Sequence, residues 1–255
     1  MRVEMPYTKD HKGNLRLDSL ISFLEKSPRI RNSIRTFRFD MAVSMLDGHS
    51  PERYFGPRDP DACPVRLMKI LRLLPRLEVV HFSNICPHLL IPPSALLELN
   101  DLPAIRKLDT LRIDFDNRTN RATSVYKVNT LLALFGEVRH LEIQHAEIVE
   151  ERDYYPELFG IKYEELLTYR RYAKIPTYCK FGSIHLHDVR NASALLSALG
   201  ELPAVTDVKS LKLGCMFAGG SCGLTTLMRA VHENLEHLEF RAECKYLLSC
   251  DRPCA

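Results

Sequence analysis

The chain contains no tryptophan among its 255 residues. It also has no apolar run approaching the roughly 18 residues that a membrane-spanning helix needs. Residues 1–14 are polar and lack the apolar segment of a secretory signal peptide. None of the eight cysteines belongs to a C-x-x-C pair. These absences predict a chain with reduced cysteines, located in the cytoplasm or the nucleus and not associated with membranes.

Motifs that carry common chemistries are also scarce. We identify no nucleophile elbow, no phosphate-binding P-loop and no H-E-x-x-H zinc motif, and we interpret the two glycines before Ser221 as a turn. The net charge of +3 is too small to favour nucleic acid as a partner. We therefore predict a protein without enzymatic activity, without a cofactor and without a bound metal ion.

What the sequence does have is a recurring spacing of apolar residues, in which apolar-x-x-apolar-x-apolar appears seven times. Successive copies begin 43, 31, 30, 43, 27 and 27 residues apart. Such a recurrence predicts repeated units that each supply half a core and must stack on their neighbours. The copies are Ile34-Phe37-Phe39, Leu77-Val80-Phe82, Leu108-Leu111-Ile113, Val138-Leu141-Ile143, Phe181-Ile184-Leu186, Val208-Leu211-Leu213 and Leu235-Leu238-Phe240.

Amphipathic helix patterns precede five of the seven copies. In residues 17–24 the apolar side chains follow the i, i+3, i+4, i+7 spacing, which places them on one face of a helix. The same spacing recurs at 67–74, 128–135, 195–202 and 224–231. Strands that are joined by helical crossovers run parallel, so the alternation predicts an α/β fold with a parallel sheet.

The repeat period also sets the expected domain organisation. We predict that residues 15–245 form a single domain of about seven degenerate repeats, because one unit cannot be stable alone. Residues 1–14 are predicted to be an N-terminal tail or cap, and residues 246–255 a C-terminal tail. The two 43-residue spacings predict insertions at 47–64 and 149–180.

The strand motif and its helix resemble the leucine-rich repeat in its ribonuclease-inhibitor-like form. LDSLISFLEKSPRIRNSIRTFRF at 17–39 and LLPRLEVVHFSNI at 73–85 resemble the C-terminal repeat region of fungal F-box-type proteins. The resemblance implies a solenoid with a curved parallel sheet inside and helices outside, and a ubiquitin-ligase adaptor as one partner. Two features depart from the family pattern. The asparagine or cysteine that usually follows the strand motif is missing, and we find no F-box.

Polar residues between the apolar points are expected to face away from the core, on the concave side of the sheet. The residue before the third apolar point gives a row: Arg38, His81, Arg112, Glu142, His185, Lys212 and Glu239. With His140 and His187 from the flanking positions, this row is our candidate surface for a protein partner. Its mixed charges suit a protein or a peptide better than a phosphate backbone.

The predicted insertion at 149–180 is a second candidate contact surface. It carries six of the ten tyrosines together with acidic and basic residues. We select Tyr154, Tyr155, Tyr163 and Tyr169, because tyrosine is enriched at protein interfaces. The alternative is a helix whose tyrosines pack against the rest of the domain.

The leading hypothesis is a non-enzymatic protein-interaction scaffold, of the kind that recognises substrates in F-box-type ubiquitin ligases. A metal-dependent enzyme is one alternative, because His140 and Glu142 are predicted to lie beside His185 and His187 and these residue types bind zinc. A nucleic-acid-binding solenoid is the other, through basic residues of the first two units. Those residues are Arg29, Arg31, Arg35, Arg66, Lys69, Arg72 and Arg76.

Overall fold

The computed structural model describes residues 1–6, 16–40, 64–83, 107–115, 122–123, 125–132, 134–148, 179–216 and 222–242. The strands are β1 (Arg2–Pro6), β2 (Thr36–Asp40), β3 (Val79–Ser83), β4 (Leu108–Asp114), β5 (Ala122–Thr123), β6 (Glu137–Gln144), β7 (Glu147–Ile148), β8 (Lys180–Arg190), β9 (Ser210–Met216) and β10 (His237–Ala242). The helices are α1 (Arg16–Lys26), α2 (Pro28–Arg31), α3 (Pro64–Leu73), α4 (Val125–Leu132), α5 (Ser193–Gly200) and α6 (Cys222–Val231), with a 3₁₀ helix at Pro203–Asp207.

All of these strands belong to one sheet, and every neighbouring pair is parallel. Eight strands lie side by side in chain order, β1-β2-β3-β4-β6-β8-β9-β10. The two-residue strands form a short extension, in which β7 pairs with the end of β8 and β5 pairs with β7. The predicted α/β fold with a parallel sheet is confirmed.

The register of the sheet aligns the apolar points of the repeat. The middle apolar residues of the seven copies lie side by side: Phe37, Val80, Leu111, Leu141, Ile184, Leu211 and Leu238. Strand β1 was not predicted, although Val3 and Met5 lie opposite Phe37 and Phe39. Val3 and Met5 match only the second and third apolar points of the pattern.

The helices bury the faces that their spacing predicts. In α3, Leu67, Ile70 and Leu71 are buried, whereas Lys69 and Arg72 are exposed. Helices that are close in the chain contact each other, α1 with α3, α4 with α5, and α5 with α6. The buried side chains of helices and strands form one apolar cluster, and burying each large side chain contributes about 1.5–3 kcal/mol.

Helices α5 and α6 approach each other closely enough to need glycine. A Cβ atom at Gly223 would lie 1.9 Å from the carbonyl oxygen of Ser193, and one at Gly200 would lie 2.8 Å from the backbone nitrogen of Leu227. Any side chain at either position would therefore force the two helices apart.

The predicted insertions are almost entirely outside the described ranges, as are residues 7–15 and 243–255. The predicted domain boundaries and the location in the cytoplasm or the nucleus stay predictions. No helix within the described part of the chain is long and apolar enough to cross a membrane.

Leu141→Ala is expected to lower the free energy of unfolding by about 2–5 kcal/mol, because it leaves a cavity in the middle of the sheet. Leu238→Ala is the matched control, because Leu238 holds the same repeat position on β10 but is 48% exposed, whereas Leu141 is fully buried. We expect the control to cost less than about 1 kcal/mol. Urea unfolding followed by circular dichroism measures both, and equal losses would contradict this packing.

Candidate protein-binding groove

The row of polar residues predicted from the repeat is continuous in the structure. Pairing of neighbouring strands places its members side by side in the order Arg38, His81, Arg112, Glu142, His185, Lys212, Glu239. We call these seven residues the central row. All seven are partly exposed, whereas the apolar residues before and after each of them on strands β2 to β9 are buried. The central row therefore lies on the face of the sheet opposite the core.

The two flanking positions of the prediction are also placed as expected. His140 lies opposite Ser183, and its Nδ1 atom is 2.8 Å from the Ser183 hydroxyl. His187 lies between Gln144 and Gly214 on the neighbouring strands, and it is exposed. The structure thus brings together all nine residues that the sequence selected on the sheet, over seven adjacent strands.

Ion pairs connect several strands along the central row. Arg112 Nε donates a hydrogen bond of 2.5 Å to Glu142 Oε2, and the Glu142 side chain is only 21% exposed. On the last two strands the Glu239 carboxylate forms ion pairs with two cations. Lys212 Nζ lies 3.4 Å from its Oε2, and Arg241 Nη2 lies 2.8 Å from its Oε1. The Arg112–Glu142 end is therefore neutral, whereas the Lys212–Glu239–Arg241 end carries one positive charge in excess.

An open groove of about 380 Å³ follows this face over β4, β6, β8, β9 and β10. Six selected residues line it: Arg112, Glu142, His185, His187, Lys212 and Glu239. Arg38, His81 and His140 lie outside its lining. The sequence did not select Gln144, Gly214 and Arg241, which also line it.

The space in the groove beside His187 depends on the missing side chain at Gly214. A Cβ atom there would lie 3.3 Å from the Leu186 carbonyl oxygen and 3.4 Å from His187 Nδ1. Any larger side chain would occupy the space beside His187. Gly214 lies between His187 on β8 and Arg241 on β10, and only the register shows that the missing side chain leaves space between them.

Two histidines of the central row have lowered pKa values. Burial is the main cause of the lowered pKa of His81, and the guanidinium groups of Arg38 and Arg112 on either side add to it. Burial and then the Lys212 ammonium group lower the pKa of His185. At neutral pH both imidazoles are therefore uncharged and available to accept or donate hydrogen bonds.

The pKa of Glu239 is also lowered, but for a carboxyl this favours the charged form. The hydrogen bond from Lys212 and the charge of Arg241 lower the pKa of the Glu239 carboxyl. It therefore stays ionised in the acidic range.

Cys179 is a buried free thiol just before β8, and burial raises its pKa to about 12. Its thiol is protonated at neutral pH and is not a nucleophile.

A histidine–aspartate pair that the sequence analysis did not select lies at the ends of β4 and β6. His145 Nδ1 is 2.9 Å from Asp114 Oδ1, and the His145 and His187 rings are 6.1 Å apart. His145 and Asp188 both have positive φ angles, of 54° and 50°. Histidine and aspartate are among the residues that adopt this conformation most readily, so local turn geometry accounts for it.

Residues 219–223 read G-G-S-C-G, which matches the G-x-S-x-G pattern of serine hydrolases. This match is not part of our prediction, which identifies no nucleophile elbow and interprets the two glycines before Ser221 as a turn. Residues 219–221 lie outside the described ranges, so the location of the Ser221 hydroxyl is not described. For Gly223 the close packing of α5 and α6 supplies a structural reason that needs no catalysis.

The residues behind the other two functional hypotheses are placed as follows. In the basic segments, Lys69 pairs with Glu25 at 3.0 Å, and Arg35 pairs with Glu78 at 2.8 Å. In the described part of the chain, no group of three or more His, Cys, Asp or Glu side chains is placed to hold a metal ion. The four tyrosines selected in the insertion, Tyr154, Tyr155, Tyr163 and Tyr169, lie outside the described residues.

No protein-family model matches this chain, and no curated protein matches its sequence. The resemblance to leucine-rich repeats and to F-box-type proteins therefore stays a prediction from the sequence.

The lowered pKa of His81 predicts how the stability of the fold depends on pH. In the folded protein its pKa is below the usual 6.5, so between these two values the unfolded chain binds more protons than the folded one. The free energy of unfolding should therefore fall as the pH is lowered from 7.5 to 5.5. His81→Gln should reduce the difference between the urea midpoints at these pH values.

Val79→Ala serves as the control, because Val79 is a partly exposed residue on the same strand that carries no titratable group. Any change that it causes in the urea midpoint should be equal at both pH values. A His81→Gln protein with the full pH dependence would contradict the assignment.

Proposed function

We propose that this chain is a leucine-rich repeat solenoid of the ribonuclease-inhibitor-like kind that binds a protein partner in the groove without catalysing a reaction. The observation that carries the proposal is the central row, in which charged residues from adjacent strands line one open groove. The order of the strands along the chain and the contacts between successive helices support the solenoid.

The charges of the groove indicate the chemistry of the partner. Lys212 and Arg241 share the single carboxylate of Glu239, so this end attracts an anion. Gly214 leaves space next to it, and His185 and His187 supply hydrogen-bonding groups on the adjacent strand. At the neutral end, Arg112 and Glu142 offer both charges. We expect an extended protein segment whose acidic side chain lies over Gly214.

The biological setting that the resemblance suggests is recognition of substrates for a ubiquitin ligase. This setting is tested by affinity purification of the tagged chain from its native cells with the proteasome inhibited, followed by mass spectrometry. Co-purification of a cullin and its adaptor would support the degradation role. One dominant unrelated protein would instead support a stand-alone recognition module.

Lys212→Glu is expected to weaken binding of the purified partner at least about tenfold, because it reverses the charge at the anion-attracting end. The matched control is Lys209→Glu. Lys209 also lies beside β9 and also pairs with a glutamate of the next unit, Glu236 at 2.7 Å, but it does not line the groove. Isothermal titration calorimetry compares the two. An equal loss of affinity in the Lys212→Glu and Lys209→Glu variants would rule out the groove as the binding site.

Gly214→Leu is expected to abolish binding while the fold is kept, because the new side chain occupies the groove beside His187. Gly214→Ala adds a single methyl group and should weaken binding less. Circular dichroism and the urea midpoint check that both variants are folded. Unchanged affinity in a folded Gly214→Leu protein would show that the partner binds elsewhere.

A further inference from the structure

Among the described strands, the apolar side chains of β10 are less buried than those of its neighbour β9. Leu238 and Phe240 on β10 are 48% and 46% exposed, whereas Leu211 and Leu213, their neighbours on β9, are at most 1% exposed. Leu235, Leu224 and Met228 of the same unit are only partly buried. An apolar strip that is half exposed along an edge strand is a common site of protein association.

Strand β10 is also an edge in the hydrogen-bonding sense. Within the described ranges it pairs only with β9, along the six residues His237–Ala242. The backbone groups on its other side are oriented to receive a further strand. The polar side chains of β10 then decide which strand fits beside it.

The charges of β10 are self-complementary in one antiparallel register. In that register a two-fold axis perpendicular to the sheet passes between Phe240 and its symmetry-related copy. Glu239 then lies opposite Arg241 of the partner subunit. Residues directly opposite in an antiparallel pair point to the same face, so both ion pairs form on the polar side and both phenylalanines meet on the apolar side. Registers centred on Glu239 or on Arg241 place like charges opposite each other.

We propose that this chain forms a two-fold symmetric dimer by antiparallel pairing of β10 with β10 of a second copy. Because of the symmetry each contact occurs twice, so a single glutamate and a single arginine on each strand form two ion pairs between the subunits. Pairing also covers the exposed parts of Leu238 and Phe240. Because two strands of six residues bury a small area, we expect a dissociation constant on the order of 1–100 μM.

The dimer would join the two grooves. Glu239 and Arg241 line the groove of their own subunit at the edge of the sheet. In the dimer the partner's Arg241 and the partner's Glu239 continue that lining, with both polar faces on the same side. The two grooves then form one continuous surface across the two-fold axis. The use of this surface for binding a partner rests on the proposed function, whereas the dimer itself does not.

The experiment is a charge swap read by sedimentation velocity on the full chain at several concentrations. Glu239→Arg places Arg opposite Arg, and Arg241→Glu places Glu opposite Glu, so each single change should raise the dissociation constant about tenfold or more. The double variant, Glu239→Arg with Arg241→Glu, restores opposite charges and should recover most of the dimer. Recovery is partial because the contact of Glu239 with Lys212 stays lost.

Lys209→Glu is the control, since it changes a charge outside β10 and should leave dimerisation unchanged. Circular dichroism shows whether each variant is folded. A chain that is monomeric at about 100 μM would overturn the proposal, and it is the outcome expected if residues 243–255 or an unrelated protein cover β10. A dimer that resists both single changes would overturn it as well. No binding partner is needed for this readout, so its failure is distinguishable from failure of the groove as a partner site.

Discussion

The register of the parallel sheet is the constraint on which the core and the groove both depend. Side chains alternate between the two faces of a strand, so a slip of one residue would move the central row into the core and the apolar points into water. Charged pairs at the start of the strands hold the same register. Asp109 accepts a hydrogen bond of 2.7 Å from Arg139, and Lys209 donates one of 2.7 Å to Glu236. Each such exposed pair contributes about 0–1 kcal/mol, so the apolar residues set the register and the charges favour it.

Much of this arrangement could be read from the sequence because it depends on period and alternation. The apolar-x-x-apolar-x-apolar spacing predicted seven strands, their parallel order and the members of the central row, which the structure places side by side. Strand β1 was not predicted because its two apolar residues, Val3 and Met5, match only part of the pattern. A local pattern cannot detect a strand that is defined by its neighbour.

The features of the groove that were not predicted arise from interactions between strands. Gly214 matters through the space it leaves beside His187, and Glu239 matters because Lys212 and Arg241 both contact it. Neither fact is contained in the spacing of one strand. The lowered pKa of His81 likewise comes first from burial. The spacing of apolar residues predicts which face His81 lies on, but not how far its side chain is buried there. Sequence reasoning located the surface, and the register gave it shape and charge.

The order of the strands has a consequence for how the protein folds. Each of the eight main strands pairs with those that precede and follow it in this order, and among the described residues no pairing joins β1 to β10. In such a linear array, structure can start at any well-packed point and spread outward one unit at a time. Strands β6 and β8, which have long pairings on both sides, are the natural starting point. Assembly would then reach β10 late, and this strand, whose Leu238 and Phe240 are half exposed, would be the first to open when the chain unfolds.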